Sequence, residues 1–484
     1  MRERRPRAPR SFRKSPPAAT VSDAGRLPAG FSPLCLAVFD DRVLIGGYAP
    51  GANAGPEGII LELAPEGVRP LAGGLGPVVG LERIGSVLYV LHSATLSTFR
   101  DAKAGGPLAD RADLAVGLGR PFEGVVDDHG PLALQRGMDG FLYISVGDKG
   151  VPGAKGADGT PLRMEGGGIV RIRPDGSSLE VVAAGDARPT GLVVSASDDV
   201  FTLSGADDPR WGMRLNHAVV GGKFGYPYHF LTAPFRALPM MTKLEGRRAG
   251  QGTVLDDEPA TLAFCEPDAQ AVFRCVVKKS GGGSALATRT PLATRGGLES
   301  FHPWSIASAG GDIWILDSTE SRHVPADASA RLFRLSRAQT PESTPEADSA
   351  TDPIRALDDP SRSRRLEAQD RLVSAGAASV GPLIARLNQS EPTPGRLHAL
   401  WALDRIQTPE AAEAVRACLA DASAAVRQQA ARSVGLRRDG DARAGLLKLL
   451  GDRDPAVRRE AAVALGRLGD PSAVPSLLAA LGDP

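Results

Sequence analysis

His129 and Asp148 stand 19 residues apart in HGPLALQRGMDGFLYISVGD, and the residues between them return both to one place. The turn signal Met138-Asp139-Gly140 and the apolar run Phe141-Leu142-Tyr143-Ile144 describe a hairpin, whose two ends meet at one rim of a sheet. A histidine and a carboxylate so placed could face a single ligand; without chemistry, the same pattern is an ordinary sheet repeat. The adjacent carboxylates Asp207 and Asp208 follow a strand. They could hold calcium, a hard cation that takes several oxygens, or simply form a turn. In WGMRLNH, Arg214 and His217 either line a central opening or pin a long loop. Trp211, Tyr226 and Tyr228 could stack on a sugar face or a planar cofactor, or pack with a hydrogen-bonding tip. His302 and Asp317 echo the His129 and Asp148 pattern around a later strand, which suggests that part of it is structural.

Residues 28–337 must position these groups. Short apolar strands recur there behind Gly or polar turns: Val43-Leu44-Ile45, Val87-Leu88-Tyr89-Val90, Phe141-Leu142-Tyr143-Ile144, Val200-Phe201-Thr202-Leu203, Leu262-Ala263-Phe264 and Ile313-Trp314-Ile315-Leu316. Their spacing, from 44 to about 60 residues, is that of one four-stranded blade each and predicts a six-bladed propeller. A parallel α/β fold would need helical segments between the strands, and none reads as one.

Residues 338–357 are polar and Pro-rich, a linker. From 358 to 484 the period becomes helical. Arg365, Arg396, Arg427 and Arg458 are each 31 residues apart, as are Ala368, Ala399, Ala430 and Ala461. One helix pair of this kind cannot bury its apolar face alone, but stacked pairs can, so at least four HEAT-like repeats are expected. The arginines should form a ladder of inter-repeat hydrogen bonds. The fold class is therefore multidomain: an all-β six-bladed propeller followed by an all-α HEAT-like solenoid.

The chain has 484 residues and a net charge of +1, which gives no reason to expect nucleic acid. Its four cysteines form no CxxC or CxxCH, so there is neither a thiolate zinc site nor a haem attachment motif. Cys265 and Cys275 could face each other across a hairpin as a disulfide or be two small buried residues. No run approaches the roughly 20 apolar residues of a transmembrane segment. Residues 1–27 read as a disordered basic tail with no signal peptide visible. Leu481-Gly482-Asp483-Pro484 repeats Leu450-Gly451-Asp452, where a further repeat would begin.

HGPLALQRGMDGFLYISVGDKG (129–150), with GGGIVRIRPDGSSLEVVAAGDARPTGLVVSASDDVFTLSGADD (166–208), resembles the glucose/sorbosone dehydrogenase family of propellers. WGMRLNHAVVGGKFGYPYHF (211–230) is closest to one branch, the propeller–HEAT proteins of planctomycetes and relatives often named membrane-bound dehydrogenase-like. The resemblance implies pyrroloquinoline quinone as cofactor, a carbohydrate or alcohol substrate, and a periplasmic or cell-envelope location. His129 would be the base that takes a substrate hydroxyl proton. Asp148 would orient the imidazole or line the cofactor pocket, Arg188 would be the cation near the quinone oxygens, and Arg214 and His217 would complete the pocket. The family segment Arg-Asn-Pro-x-Gly-Leu reads here Ala187-Arg188-Pro189-Thr190-Gly191-Leu192. The arginine stands one place late, and a shift of one residue on a strand turns a side chain to the other face. The alternative is a non-catalytic scaffold, its propeller binding carbohydrate or protein and its solenoid a protein partner.

Overall fold

The computed structural model describes residues 20–481 apart from 40–41, 52–54, 102–105, 107, 123–125, 258, 297, 310, 319–329, 337–351 and 391–393. Most of the expected linker, 338–351, lies outside the described residues; its last residues form a short helical turn, Arg355–Asp358. Among the described residues six sheets, antiparallel but for the short parallel pairing of Gly222–Lys223 with Glu180–Asp186, follow one another around an axis. Their innermost strands, Ser32–Phe39, Val78–Ile84, Pro131–Arg136, Arg188–Val194, Gly252–Asp256 and Pro303–Ala309, touch in a closed ring. The six apolar runs found in the sequence are the second strand of each blade. They sit between two neighbours and are apolar on both faces, which is why they stand out.

The ring closes through the N-terminus. Thr20–Arg26 pairs antiparallel with Arg331–Ser336 as the outer strand of the last blade, and Leu27 is buried. Residues 20–27 therefore belong to the propeller rather than to a basic tail. Closure of the last blade by a strand from the other end of the chain removes an open sheet edge. On the axis, Gln251 ties neighbouring blades together. Its Nε2 donates to Val79 O and Leu132 O, both at 3.1 Å, and its Oε1 accepts from Ser305 Oγ at 2.6 Å.

The solenoid comprises four helix pairs: Arg362–Ala375 with Val380–Leu387, Pro394–Ile406 with Pro409–Ala417, Ala424–Leu436 with Arg443–Leu449, and Pro455–Leu468 with Val474–Ala480. Two of the four expected arginines form the inter-repeat ladder, while Arg458 donates to Asp452 O before its own helix. Arg396 Nη2 meets Asp421 at 2.5 Å and Arg427 Nε meets Asp452 at 2.7 Å, each partner 25 residues further on. Position 390 is a serine, and Arg365 instead pairs with Asp257 of the propeller.

Antiparallel strands place alternate loops on opposite rims. The solenoid meets the lower rim, formed by the turns between first and second and between third and fourth strands. Met138 of one such turn is part of the solenoid's own apolar core. The adjoining Gly140 has φ +81°, and a Cβ there would lie 2.9 Å from Arg405 Nε. Arg136 pairs with Asp370 at 2.6 Å, Gln369 Nε2 donates to Met138 O at 3.0 Å, and Arg467 pairs with Glu180 at 2.9 Å. Among the described residues no helix is long and apolar enough to cross a membrane.

Candidate functional site

The upper rim carries the loops between blades and those between second and third strands. His129 lies on the loop entering Pro131–Arg136, and Asp148 on the loop leaving Leu142–Val146. Gly147 brings them together. Its N–H donates to Gly130 O at 2.7 Å, and a Cβ would lie 2.5 Å from Asp128 O and 2.7 Å from His129 Cα. Only glycine lets the two loops approach so closely. His129 Nδ1 then donates to Asp148 Oδ1 at 2.5 Å, which fixes the ring and leaves Nε2 3.9 Å from Asp128 Oδ1.

Arg188 completes the group. It is buried, and Nη1 donates to Asp128 Oδ2 at 2.7 Å while Nη2 donates to Asp207 Oδ1 at 3.0 Å. The displacement expected from its shifted register is not seen: Ala187 packs into the core between blades, and Arg188 with Thr190 faces the upper cavity. An irregularity in pairing between Arg188 and Gly191 resets the strand there. Beneath, Asp186 accepts from Thr202 Oγ1 at 2.9 Å and Asn216 Nδ2 at 3.2 Å, and burial pushes its carboxyl up.

The cavity measures about 340 Å³. Beside Trp304, its wall adds residues that the sequence did not single out: Asp127, Arg247, Arg248 and Asp268. The acidic pair before His129 in VVDDHG and the basic pair in GRRAG were the available signals. These charges are largely matched to each other. Asp127 pairs with Lys149 at 2.6 Å, Asp268 with Arg248 at 2.6 Å, and Asp128 and Asp207 with Arg188. The wall holds four carboxylates and three guanidiniums, a lining charge of −1.

Several expected site residues lie elsewhere. His217 is on the lower half of its strand, opposite Phe201, with Nε2 3.4 Å from Asp199; the β-strand that carries it simply runs away from the upper rim. Arg214 stacks its guanidinium 4.0 Å from the Trp211 ring centroid and donates through Nε to Trp211 O, so it pins a loop. Trp211 is buried against Tyr226 and Phe230. Asp207 and Asp208 diverge, the second pairing with Arg210 at 2.7 Å. Among the described residues no group of three or more His, Cys, Asp or Glu side chains is placed to hold a metal ion. His302 N–H donates to Asp317 at 2.6 Å and Arg331 pairs with the same carboxylate, a structural version of the His129 pattern. Cys265 and Cys275 are buried free thiols, each opposite an apolar residue of the neighbouring strand.

Fold and site together define a six-bladed propeller fused to HEAT repeats. Residues 379–444 and 415–484 match the family model described as HEAT repeats. No curated protein sequence matches the chain. Solved structures align with about two thirds of the chain. An oxidoreductase described as a glucose dehydrogenase, from Thermus thermophilus, is 18% identical over 66% of this chain and 99% of its own, with a TM-score of 0.48. The PQQ-bound aldose sugar dehydrogenase of Streptomyces coelicolor is 16% identical over 66% and 99%, with a TM-score of 0.46. The pyranose dehydrogenase PQQ domain of Coprinopsis cinerea is 11% identical over 67% and 98%, with a TM-score of 0.45. Likeness at this level is one of fold, and no residue role follows from it.

Proposed function

We propose that the propeller binds a neutral polyol, a sugar or sugar alcohol, in its upper cavity, and that the solenoid is a rigid base offering its outer surface to a protein partner. The observation that carries this reading is the matched charge of the wall. Asp128, Asp207 and Asp268 are fixed by Arg188 and Arg248, so the cavity presents oriented donors and acceptors at little net charge. That arrangement suits vicinal hydroxyls, which are both donor and acceptor. His129, held by Asp148, stands beside this wall with Nε2 3.9 Å from Asp128, and Trp304 supplies an apolar face.

Pyrroloquinoline quinone is a tricarboxylate, and the residues present do not fit it. The lining acids outnumber the cations, and Arg188 and Arg248 are already ion-paired. For calcium, no three carboxylate side chains converge among the described residues. A second reading, an oxidoreductase acting on a CH–OH group, is favoured by the His129–Asp148 pair itself, which is the arrangement of a general base. The periplasmic location belongs to that reading and rests on the family resemblance.

Calorimetric titration of the full chain with hexoses, pentoses and polyols separates the readings, alongside absorbance and dye reduction with pyrroloquinoline quinone. Saturable sugar binding, weakened about tenfold in His129→Ala, roughly one lost hydrogen bond, with no uptake of the quinone, is expected. Quinone binding with dye reduction would establish the oxidoreductase instead. Sugar binding that His129→Ala leaves untouched would remove His129 from both readings.

A further inference from the structure

Gln428 and Gln429 are neighbours on the helix Ala424–Leu436, and both are almost wholly buried. Gln429 Nε2 donates to Ser197 O at 2.7 Å, while its Oε1 accepts nothing. Gln428, 4% exposed, stands beside it. A buried amide left unsatisfied costs about 1–3 kcal/mol unless water or a ligand meets it. Gln428 belongs to the wall of a cavity of about 380 Å³ between the solenoid and the lower rim of the propeller.

Both domains build this cavity. The propeller gives the turn that carries Ser195 and Ser197 and the hairpin that carries Val277 and Lys278; the solenoid gives the first turns of two long helices, Pro394–Ile406 and Ala424–Leu436. The charge here is opposite to that of the upper cavity. Lys278, Lys279, Arg365 and Arg396 line it with Asp199 and Asp257; Arg365 pairs with Asp257, Arg396 with Asp421 and Lys279 with Asp454, which leaves Lys278 as the uncompensated cation among the described residues. Both carboxylates are engaged, Asp257 by Arg365 and Asp199 by His217. Lys278 has no ion-pair partner among the described residues. The 13-residue helix Ala424–Leu436 adds a positive pole: Ser423 gives its first turn no side-chain cap, and that turn contains no acidic residue. Phe201, Ala260, Leu397 and Val426 make the rest of the wall apolar.

We propose that this interdomain cavity binds a small organic anion, a carboxylate or phosphate carried on an apolar body. The charged head lies against the first turn of Ala424–Leu436, Gln428 and Lys278, and the body packs on the apolar wall. Because the walls belong to both domains, the bound anion strengthens their docking. The inference is independent of the reading given for the upper cavity.

The test is calorimetry and thermal unfolding of the full chain with phenyl phosphate, benzoate and inorganic phosphate. Saturable binding of phenyl phosphate or benzoate, tighter than inorganic phosphate and accompanied by a raised Tm, is expected; the tighter of the two identifies the head group. Lys278→Glu, on an exposed hairpin and harmless to folding, should weaken binding at least about tenfold. Gln428→Leu should do the same. His129→Ala should change nothing. Absence of saturable binding by all three compounds at millimolar concentration overturns the proposal, as does binding that Lys278→Glu and Gln428→Leu leave unaltered. Equal affinity for inorganic phosphate would overturn the part played by the apolar wall.

Discussion

A hydroxyl has one proton to donate, and Ser97 donates its own to Asp113 Oδ1 at 2.6 Å. His92 Nε2, 2.8 Å from Ser97 Oγ, must therefore be the donor in that pair, so Nε2 carries a proton. Burial, reinforced by the Arg111 charge, pushes its pKa down from 6.5 to about 4. The folded value lies below the unfolded one, so as pH falls the unfolded chain binds the proton first. The contribution is whole above pH 6.5 and is lost as pH falls towards 4, by up to about 3 kcal/mol. Urea unfolding of the wild type and His92→Gln at neutral and acid pH reads this directly: the variant should lose part of the acid slope, and an unchanged slope would contradict the assignment. His129 and His217 each sit beside an aspartate on opposite rims. Asp148→Asn should release the His129 ring and weaken sugar binding several-fold, whereas His217→Ala should leave sugar binding unchanged; the two titrations compared side by side locate the ligand.

Gly147 shows how an element places a site. Gly147→Ala puts a methyl group onto Asp128 O and His129 Cα, with backbone on every side and no flexible chain end to yield. A loss of about 1–3 kcal/mol is expected, together with loss of the short His129–Asp148 hydrogen bond, visible as a shifted or missing imidazole N–H resonance in the proton NMR spectrum. Stability and sugar affinity should fall together; a fully stable variant with the resonance intact would show that the loop has another way to pack. This same hairpin was legible in the sequence, because a turn followed by a doubly buried second strand leaves a strong local pattern. The solenoid was more legible still, since each repeat must present the same residues to its neighbour. Arg188 was not: pairing resets between it and Gly191, and a strand irregularity leaves no mark on side-chain alternation. For His217 and Arg214 the sequence left two readings open, an opening lined or a loop pinned. A dense polar motif says that groups cluster, but which rim they reach depends on where the strand begins, and Met213–Ala218 carries Arg214 near one rim and His217 near the other. Residues 20–27 were hidden because a closing strand has its partner more than 300 residues away.

At the scale of the whole molecule, what joins propeller to solenoid is a buried chain of charges. Tyr143 Oη donates to Asp139 Oδ2 at 2.9 Å, Arg171 Nη1 donates to both, and Arg171 also holds Glu180, which reaches Arg467 of the last repeat. Alongside, Asp198 accepts from the Met138 N–H at 2.9 Å and from Arg432 Nη1 at 2.8 Å, and Arg432 continues to Glu460 at 3.2 Å. Arg432 thus bridges two carboxylates, Asp198 and Glu460, that are both buried. Charges taken out of water gain little from pairing beyond an apolar isostere, but removing one partner leaves the other uncompensated at a cost of about 3–5 kcal/mol. Arg432→Ala should therefore be far more damaging than its lost contacts suggest, and the damage should fall on docking rather than on either domain's core. Calorimetric unfolding would show it: a single transition in the wild type should split, with the solenoid melting first and the propeller, closed by its own N-terminal strand, melting second. Adding Asp198→Asn and Glu460→Gln to Arg432→Met removes all three charges and should restore most of the lost stability. If Arg432→Ala lowers one undivided transition instead, propeller and solenoid are a single cooperative unit. The interdomain cavity would then transmit an anion's binding energy to the upper rim as well as to the interface.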